Sequence, residues 1–147
     1  MFYHFQIRNG KVSPILGKRG KASVFWKDEN GLSIVADRSL AGEGIRKIAW
    51  ARSFMPVLSG IEARFEREKP FAGLRVAVSV HLEAKTANLG YVLTKGGAEV
   101  YLTGSNPLST QDDVAAGLAQ LGVETFGIHG IPGEEYERFL ISVLACH

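Results

Sequence analysis

Leu74-Arg-Val-Ala-Val-Ser-Val80, followed at once by His81-Leu-Glu-Ala-Lys-Thr86, is the stretch that decides the fold. A nearly unbroken Val-rich run of this length is what a strand buried in a parallel sheet requires, and polar residues begin where it ends. The segment after it can be helical to about Lys95, where Gly96-Gly97 stops it. Toward the C-terminus the unit recurs, with strands over Val100–Thr103 and Val123–Ile128 and helices over Asp112–Leu121 and Glu134–Leu144. Strand and helix in alternation predict a parallel sheet with right-handed crossovers.

Upstream the period changes. From Gly44 onward Ile45, Ile48, Ala51, Phe54 or Met55, Leu58, Ile61 and Phe65 fall three or four apart, which puts them on one helix face. Pro56 lies inside this run; it lacks an N–H and clashes with the preceding turn, so a kink or break is expected near Phe54, and Lys69-Pro70 ends the helix. Before it, residues 2–8 alternate loosely, Asn9-Gly10 is a hairpin signal with Lys11–Leu16 as return strand, and Gly17–Gly20 reads as a turn. Ser23–Trp26 and Leu32–Ala36 flank a further turn cluster, Asp28–Gly31. The chain is therefore expected to divide into a basic β-meander extension at 1–36 and an α/β domain at 37–147. The α/β domain should have three layers, a mostly parallel sheet with helices flanking it.

With 147 residues, 46% of them hydrophobic, the chain has the material of one ordinary domain core. No apolar run approaches the roughly 18 to 20 residues that cross a bilayer, and the start lacks the apolar core of a secretory signal. Cys146 is the single cysteine, so no disulfide framework or cysteine zinc site forms within one chain. A soluble protein of the cytoplasm is the expectation. The net charge of +2 conceals an asymmetry: residues 1–27 carry Arg8, Lys11, Lys18, Arg19, Lys21 and Lys27 and no acid. Dispersed among Phe, Ile and Val, these read as a solvated strand face, with neither nucleic acid nor membrane expected as a partner.

Ligands of open parallel sheets bind outside the carboxyl ends of the strands. Three segments occupy those positions: His81–Thr86, Gly104–Asp113 and His129–Gly133. The first two are densely polar and lie at the same sheet edge, so they can converge on one ligand. Thr110 with Asp113 has the form of an acidic capping box, and Pro107 with Ser109 makes a tight entry to a helix. Ser109, Thr110 and Asp113 could thus serve the helix alone, whereas Asn106, Gln111 and Asp112 are less easily spent on capping. His81, directly after a strand, can exchange a proton near neutral pH, although a lone histidine is more often structural. Neither His81 with Glu83 nor His4, His129 and His147 offer a convincing metal set, and no metal is expected. No Gly-x-Gly-x-x-Gly, Walker or Gly-x-Ser-x-Gly pattern is present.

The order His81-x-x-x-x-Thr86, Gly96-Gly-Ala-Glu99, Ser105-Asn-Pro-Leu-Ser-Thr-Gln-Asp-Asp113 and Glu134-Glu-Tyr136 resembles the N-terminal substrate-binding region of the S-adenosylhomocysteine hydrolases. Ile48-Ala-Trp-Ala51 and Met55-Pro-Val-Leu58 resemble it too, and the likeness runs from about Asp37 to Leu144, leaving residues 1–33 outside it. The resemblance implies a Rossmann/flavodoxin-like substrate-binding domain. It also implies a reversible hydrolysis in which bound NAD oxidises the ribose 3′-hydroxyl, homocysteine leaves by elimination, water adds, and the ketone is reduced again. In that scheme His81 is the acid/base residue near the 5′ carbon, and Glu83, Lys85 and Thr86 lie where the family holds the purine. Asn106, Ser109, Thr110, Gln111 and Asp112 complete the implied substrate-binding set.

The commonest family pattern, His-x-Thr-x-Glu-Thr, is replaced here by His81-x-Glu83-x-Lys85-Thr86. A carboxylate only accepts, which suits an exocyclic amino group; an ammonium only donates, which suits a carbonyl such as that of hypoxanthine. S-inosylhomocysteine therefore stands beside S-adenosylhomocysteine as a substrate of the parent type, unless Lys85 merely pairs with Glu83. The family's NAD fold and later catalytic residues have no counterpart before His147, so the NAD site is expected to be absent from this chain and the chain alone inactive. Expected partners are a purine nucleoside or S-adenosylhomocysteine, the polypeptide carrying the NAD domain, and further copies, since the family is homo-oligomeric. The alternatives are a stand-alone nucleoside-binding or regulatory module without catalysis, and a purely structural domain.

Overall fold

The computed structural model describes residues 7–8, 11–12, 24–28 and 31–144. The turns expected at Asn9-Gly10 and Gly17–Gly20, the middle of the Asp28–Gly31 turn, and Cys146 lie outside the described residues. Two short strands, β1 (Ile7–Arg8) and β2 (Lys11–Val12), pair antiparallel with Ile7 opposite Val12. All other strands, β3 (Val24–Asp28), β4 (Gly31–Val35), β5 (Arg75–Val80), β6 (Glu99–Gly104) and β7 (Glu124–Gly127), form one sheet in the order β3-β4-β7-β6-β5. β4, β7, β6 and β5 are mutually parallel, and β3 is added antiparallel at one edge. The helices are α1 (Ala41–Ser53), α2 (Pro56–Glu68), α3 (Ala84–Lys95), α4 (Asp112–Gln120) and α5 (Gly133–Leu144).

Alternation along the strands makes three layers. On β6, Val100 and Leu102 turn to a core shared with Ile48 of α1, Ala87 of α3 and Val114 and Leu118 of α4. Tyr101, between them, turns to the opposite face, where Ile34 and Phe126 meet Phe139 and Val143 of α5. From β5 through β6 to β7 each step moves one place in the same direction across the sheet, so α3 and α4 fall on one face, as right-handed crossovers require. The residues expected in the meander do not all stay there. Leu32–Ala36 supplies β4, whose Ile34 and Val35 pair in parallel with Phe126 and Gly127. Ser33 strengthens the joint, since its buried Oγ accepts from Thr125 N at 3.0 Å.

Two expectations are corrected by packing. β5, read as a strand buried on both faces, is the edge strand; Val76, Val78 and Val80 are half-buried while Arg75, Ala77 and Ser79 are exposed. The single apolar face expected along residues 45–65 is also broken. Pro56 occupies the first turn of α2, where its missing N–H costs nothing, and the chain turns at Phe54-Met55 between two separate helices. The break rotates α2 so that Phe54 is 70% exposed and the one buried residue of α2 is Glu62, whose carboxylate receives Arg52 Nη2 across the break at 2.9 Å.

Glycines set the approach of α1 to α4. A methyl on Gly44 would overlap the Asp113 carbonyl oxygen, and one on Gly117 would lie 2.7 Å from Ile45 N. Lys47 Nζ seals the contact at 2.6 Å from Asp113 Oδ2, a hydrogen bond that holds this ammonium above the ordinary lysine range. Asp113 is therefore tied to α1. The acidic capping box expected from Thr110 and Asp113 is not formed; Gln111 is the N-cap residue, without a side-chain cap bond. At α3 a capping box does form: Glu83 Oε1 accepts from Thr86 N and Oε2 from Lys85 N, both at 3.1 Å, while Thr86 Oγ1 accepts from Glu83 N at 3.2 Å.

Gly44→Ala is expected to lower stability by about 1–3 kcal/mol, because backbone rather than a pliable side chain must move. Gly42→Ala, two residues earlier with open space around it, should be neutral or stabilising by up to about 1 kcal/mol. Equal losses in urea unfolding would remove the close-approach account. Glu83→Ala should cost about 1 kcal/mol through the lost cap of α3; unchanged stability would show the cap to be energetically idle.

Candidate functional site

β5, β6 and β7 end at the same sheet edge, where Val80 pairs with Gly104 and Thr103 with Phe126. The loops that leave them are drawn together over the strand ends. Ser105 N donates to Val80 O at 2.7 Å, Gln111 N to Leu82 O at 3.0 Å, and Gly130 N to Pro107 O at 3.1 Å. Beneath them Leu82 is fully buried and Thr110 nearly so. Both side chains occupy space that a methyl on Gly104 or Gly127 would take: a Cβ on Gly104 would lie 2.5 Å from Thr110 Oγ1, and one on Gly127 would overlap Leu82. Glycine at these strand ends is what lets the loops settle onto the sheet.

Side chains tie the same loops laterally. His81 Nδ1 lies 2.7 Å from Ser109 Oγ, which joins the first loop to the second. His129 N donates to Asp112 Oδ1 at 2.7 Å and His129 Nδ1 to the Thr110 carbonyl at 2.9 Å, joining the second to the third. Tyr136 OH, from α5, donates to Ser105 O at 2.8 Å. Sequence reading singled out neither His129 nor Tyr136 for this work. The signal available was their position, at and just after the carboxyl end of the third strand.

The expected site residues divide by what they already hold. Glu83 caps α3, and Thr86 Oγ1 donates back to the His81 carbonyl. Asn106 Oδ1 accepts from Leu108 N at 2.8 Å, and the Asn106 carbonyl accepts from Ser109 Oγ at 2.9 Å and Thr110 Oγ1 at 3.5 Å. Asp112 holds the third loop. Lys85 and Gln111 differ: both are exposed, and their side chains form no hydrogen bond or ion pair with another described residue. No ion pair joins Lys85 to Glu83, whose oxygens face backbone amides instead. His81 is exposed, and its Nε2 is likewise without a partner among the described residues.

Carboxylates outnumber cations at this edge, where Lys85 stands in the first turn of α3 and Lys47 pairs with Asp113. Three helices begin here, and their first turns or caps carry Glu83, Asp112 with Asp113, and Glu134 with Glu135. The carboxylates cancel the positive ends of the helix dipoles, which would otherwise attract an anion. A cavity of about 520 Å³ lies elsewhere, at the far end of α4, lined by Arg38, Ala41, Ala116, Gln120 and Leu121. Arg38 and Gln120 are its polar lining residues, and none of the loops that leave β5, β6 and β7 contributes to it. Among the described residues no group of three or more His, Cys, Asp or Glu side chains could hold a metal ion, and no helix is long and apolar enough to cross a membrane.

The family model for S-adenosyl-L-homocysteine hydrolase matches residues 33–147, beginning within β4. An adenosylhomocysteinase of Pyrococcus abyssi is 53% identical over 110 residues, 75% of this chain and 26% of the relative. An S-inosyl-L-homocysteine hydrolase of Methanocaldococcus jannaschii is 52% identical over 110 residues, with the same two shares. An adenosylhomocysteinase of Aquifex aeolicus is 50% identical over 111 residues, 75% of this chain and 27% of the relative. The chain thus spans about a quarter of the length of the curated relatives it matches. With a family model covering all of the α/β sheet from Ser33 onward, the chain belongs to the S-adenosyl-L-homocysteine hydrolase family.

Proposed function

We propose that the crevice at the carboxyl ends of β5, β6 and β7 is the purine nucleoside site of an S-adenosylhomocysteine or S-inosylhomocysteine hydrolase, with His81 as its acid/base member. The observation that carries this reading is the convergence of the His81–Thr86 and Ser105–Asp112 loops, locked by the His81–Ser109 contact, with Lys85 and Gln111 left unspent beside it. A ligand with a flat polar edge needs a few donors and acceptors that are not consumed by the scaffold, and these two side chains meet that need. Glu83, Thr86, Asn106, Ser109, Thr110 and Asp112 act in this reading chiefly by holding the loops, and their remaining lone pairs complete the ligand's surroundings.

The charge pattern favours a nucleoside over a nucleotide. Carboxylates at the starts of α3, α4 and α5 would repel a phosphate or pyrophosphate group. These residues therefore do not suit the pyrophosphate of NAD. What the chain contributes is binding and proton transfer: an imidazole at the 5′ side of the ribose, exchanging a proton with the departing sulfur or the entering water.

Lys85 favours hypoxanthine as the base. Its ammonium donates only, which matches the 6-carbonyl of inosine and not the 6-amino group of adenosine, and both Glu83 oxygens already face backbone amides. Relatives named for either substrate are equally similar, so overall identity does not separate the two.

Equilibrium titration of the protein with adenosine and inosine tests both parts. Inosine should bind tighter by roughly fivefold or more, the equivalent of about 1 kcal/mol for one additional polar contact. Equal affinities would sink the base preference, and absence of binding to either would sink the nucleoside site. Lys85→Ala should abolish the preference for inosine. Gln111→Ala should weaken both nucleosides by a similar factor, while urea midpoints stay near wild type because neither side chain holds the scaffold. Unchanged binding in both variants would remove these residues from the site.

A further inference from the structure

We infer that Ser109 is a positioning residue that fixes His81 in the tautomer protonated at Nδ1 and so makes Nε2 the proton-accepting atom of the imidazole. The inference rests on the reading of His81 as acid/base group, and assigns the atom that does the work.

The hydrogen count leads to it. Ser109 Oγ stands 2.9 Å from the Asn106 carbonyl oxygen and 2.7 Å from His81 Nδ1. A carbonyl oxygen has no hydrogen to give, so the first contact takes the only hydrogen the serine hydroxyl possesses. Oγ then presents lone pairs alone to His81, and the 2.7 Å contact requires the hydrogen to be on Nδ1. The opposite assignment would leave Oγ and the Asn106 oxygen facing one another with no hydrogen between them. Nor is Asn106 free to withdraw: its side chain accepts from Leu108 N at 2.8 Å and its carbonyl also accepts from Ser109 N at 3.1 Å. The 3₁₀ turn Pro107–Ser109 thus delivers a fixed acceptor to the imidazole.

The proton balance follows directly. Nε2 takes a proton from an attacking water or ligand hydroxyl, giving an imidazolium whose Nδ1–H remains bonded to Ser109. The same Nε2 returns that proton to a leaving sulfur or oxygen, and the starting tautomer is regenerated. A free neutral imidazole in water favours the form protonated at Nε2, so without Ser109 the group would present a donor where an acceptor is needed.

His129 supplies an internal reference. Its Nδ1 donates to the Thr110 carbonyl, so it carries the same tautomer by a bond to backbone that the Ser109 side chain does not touch. The test is long-range ¹⁵N-correlated NMR of the ring nitrogens in the full chain at about pH 8.5, two units above the ordinary histidine pKa. His81 is assigned by the signals lost in His81→Gln. Wild type should show protonated Nδ1 and unprotonated Nε2 at both His81 and His129. In Ser109→Ala the Nδ1–H to Nε2–H ratio of His81 should fall about fivefold, the loss of one hydrogen bond of ordinary net strength, while His129 keeps its pattern. Ser109→Thr should restore His81.

A wild-type His81 protonated mainly at Nε2 overturns the inference, and so does an unchanged His81 pattern in Ser109→Ala. Loss of the His129 signature in Ser109→Ala would mark a disturbed fold. The wild-type tautomer and its retention in Ser109→Thr then decide the matter. No nucleoside enters this experiment, so a failure of nucleoside binding and a failure of the tautomer assignment remain separate results.

Discussion

Leu82 and Thr110, seated over the glycines that end two adjacent strands, are the constraint on which the site depends. Gly104 and Gly127 leave room for a leucine and a threonine side chain where any larger residue would stand. Burial of Leu82 anchors the first loop and burial of Thr110 the second, and the bond from Gln111 N to Leu82 O joins them. The apolar contact does the pulling and the backbone bonds set the register, because each buried amide or carbonyl must find a partner once water is excluded. The lateral contacts of His81, Asp112 and His129 need the loops held down in this way.

Closing the loops over the sheet explains why so many polar residues at the edge already hold partners within the chain. Loops that close over a sheet have few backbone partners of their own, and Glu83, Thr86, Asn106, Ser109 and Asp112 supply the missing ones. What remains is small and well defined: an imidazole nitrogen, an ammonium and an amide, in a field made negative by the helix starts. Under the proposed function these groups orient an uncharged polar ligand and exchange a proton with it.

Much of this was legible in the sequence, and the failures have identifiable causes. The Val-rich run at 74–80 and the Gly-Gly at 96–97 were enough to position β5 and α3, and the polar stretches after the strands fall together at one sheet edge, as read. The run did not reveal that β5 is an edge strand, because a strand with one covered face can carry valine on it and alanine or serine on the other without a visible change of hydrophobicity. Helical spacing through Pro56 gave the right period with the wrong face, since a break of two residues rotates everything after it. Thr110 and Asp113 have capping-box spacing, yet other contacts claimed both: the buried Thr110 hydroxyl donates to the Asn106 carbonyl within its own loop, and Asp113 pairs with Lys47 of α1. The local antiparallel pairing read for Leu32–Ala36 is formed with β3, but its second partner, β7, lies about ninety residues away, beyond the reach of any turn signal.

The central claim is that three loops at one sheet edge make a single nucleoside site. Backbone-amide chemical-shift mapping of the protein with inosine tests it most directly. The largest changes should fall on residues 81–86, 105–112 and 128–130, with the far end of α4 unaffected. Changes centred on Arg38, Ala41 and Gln120, with the strand-end loops silent, would contradict it.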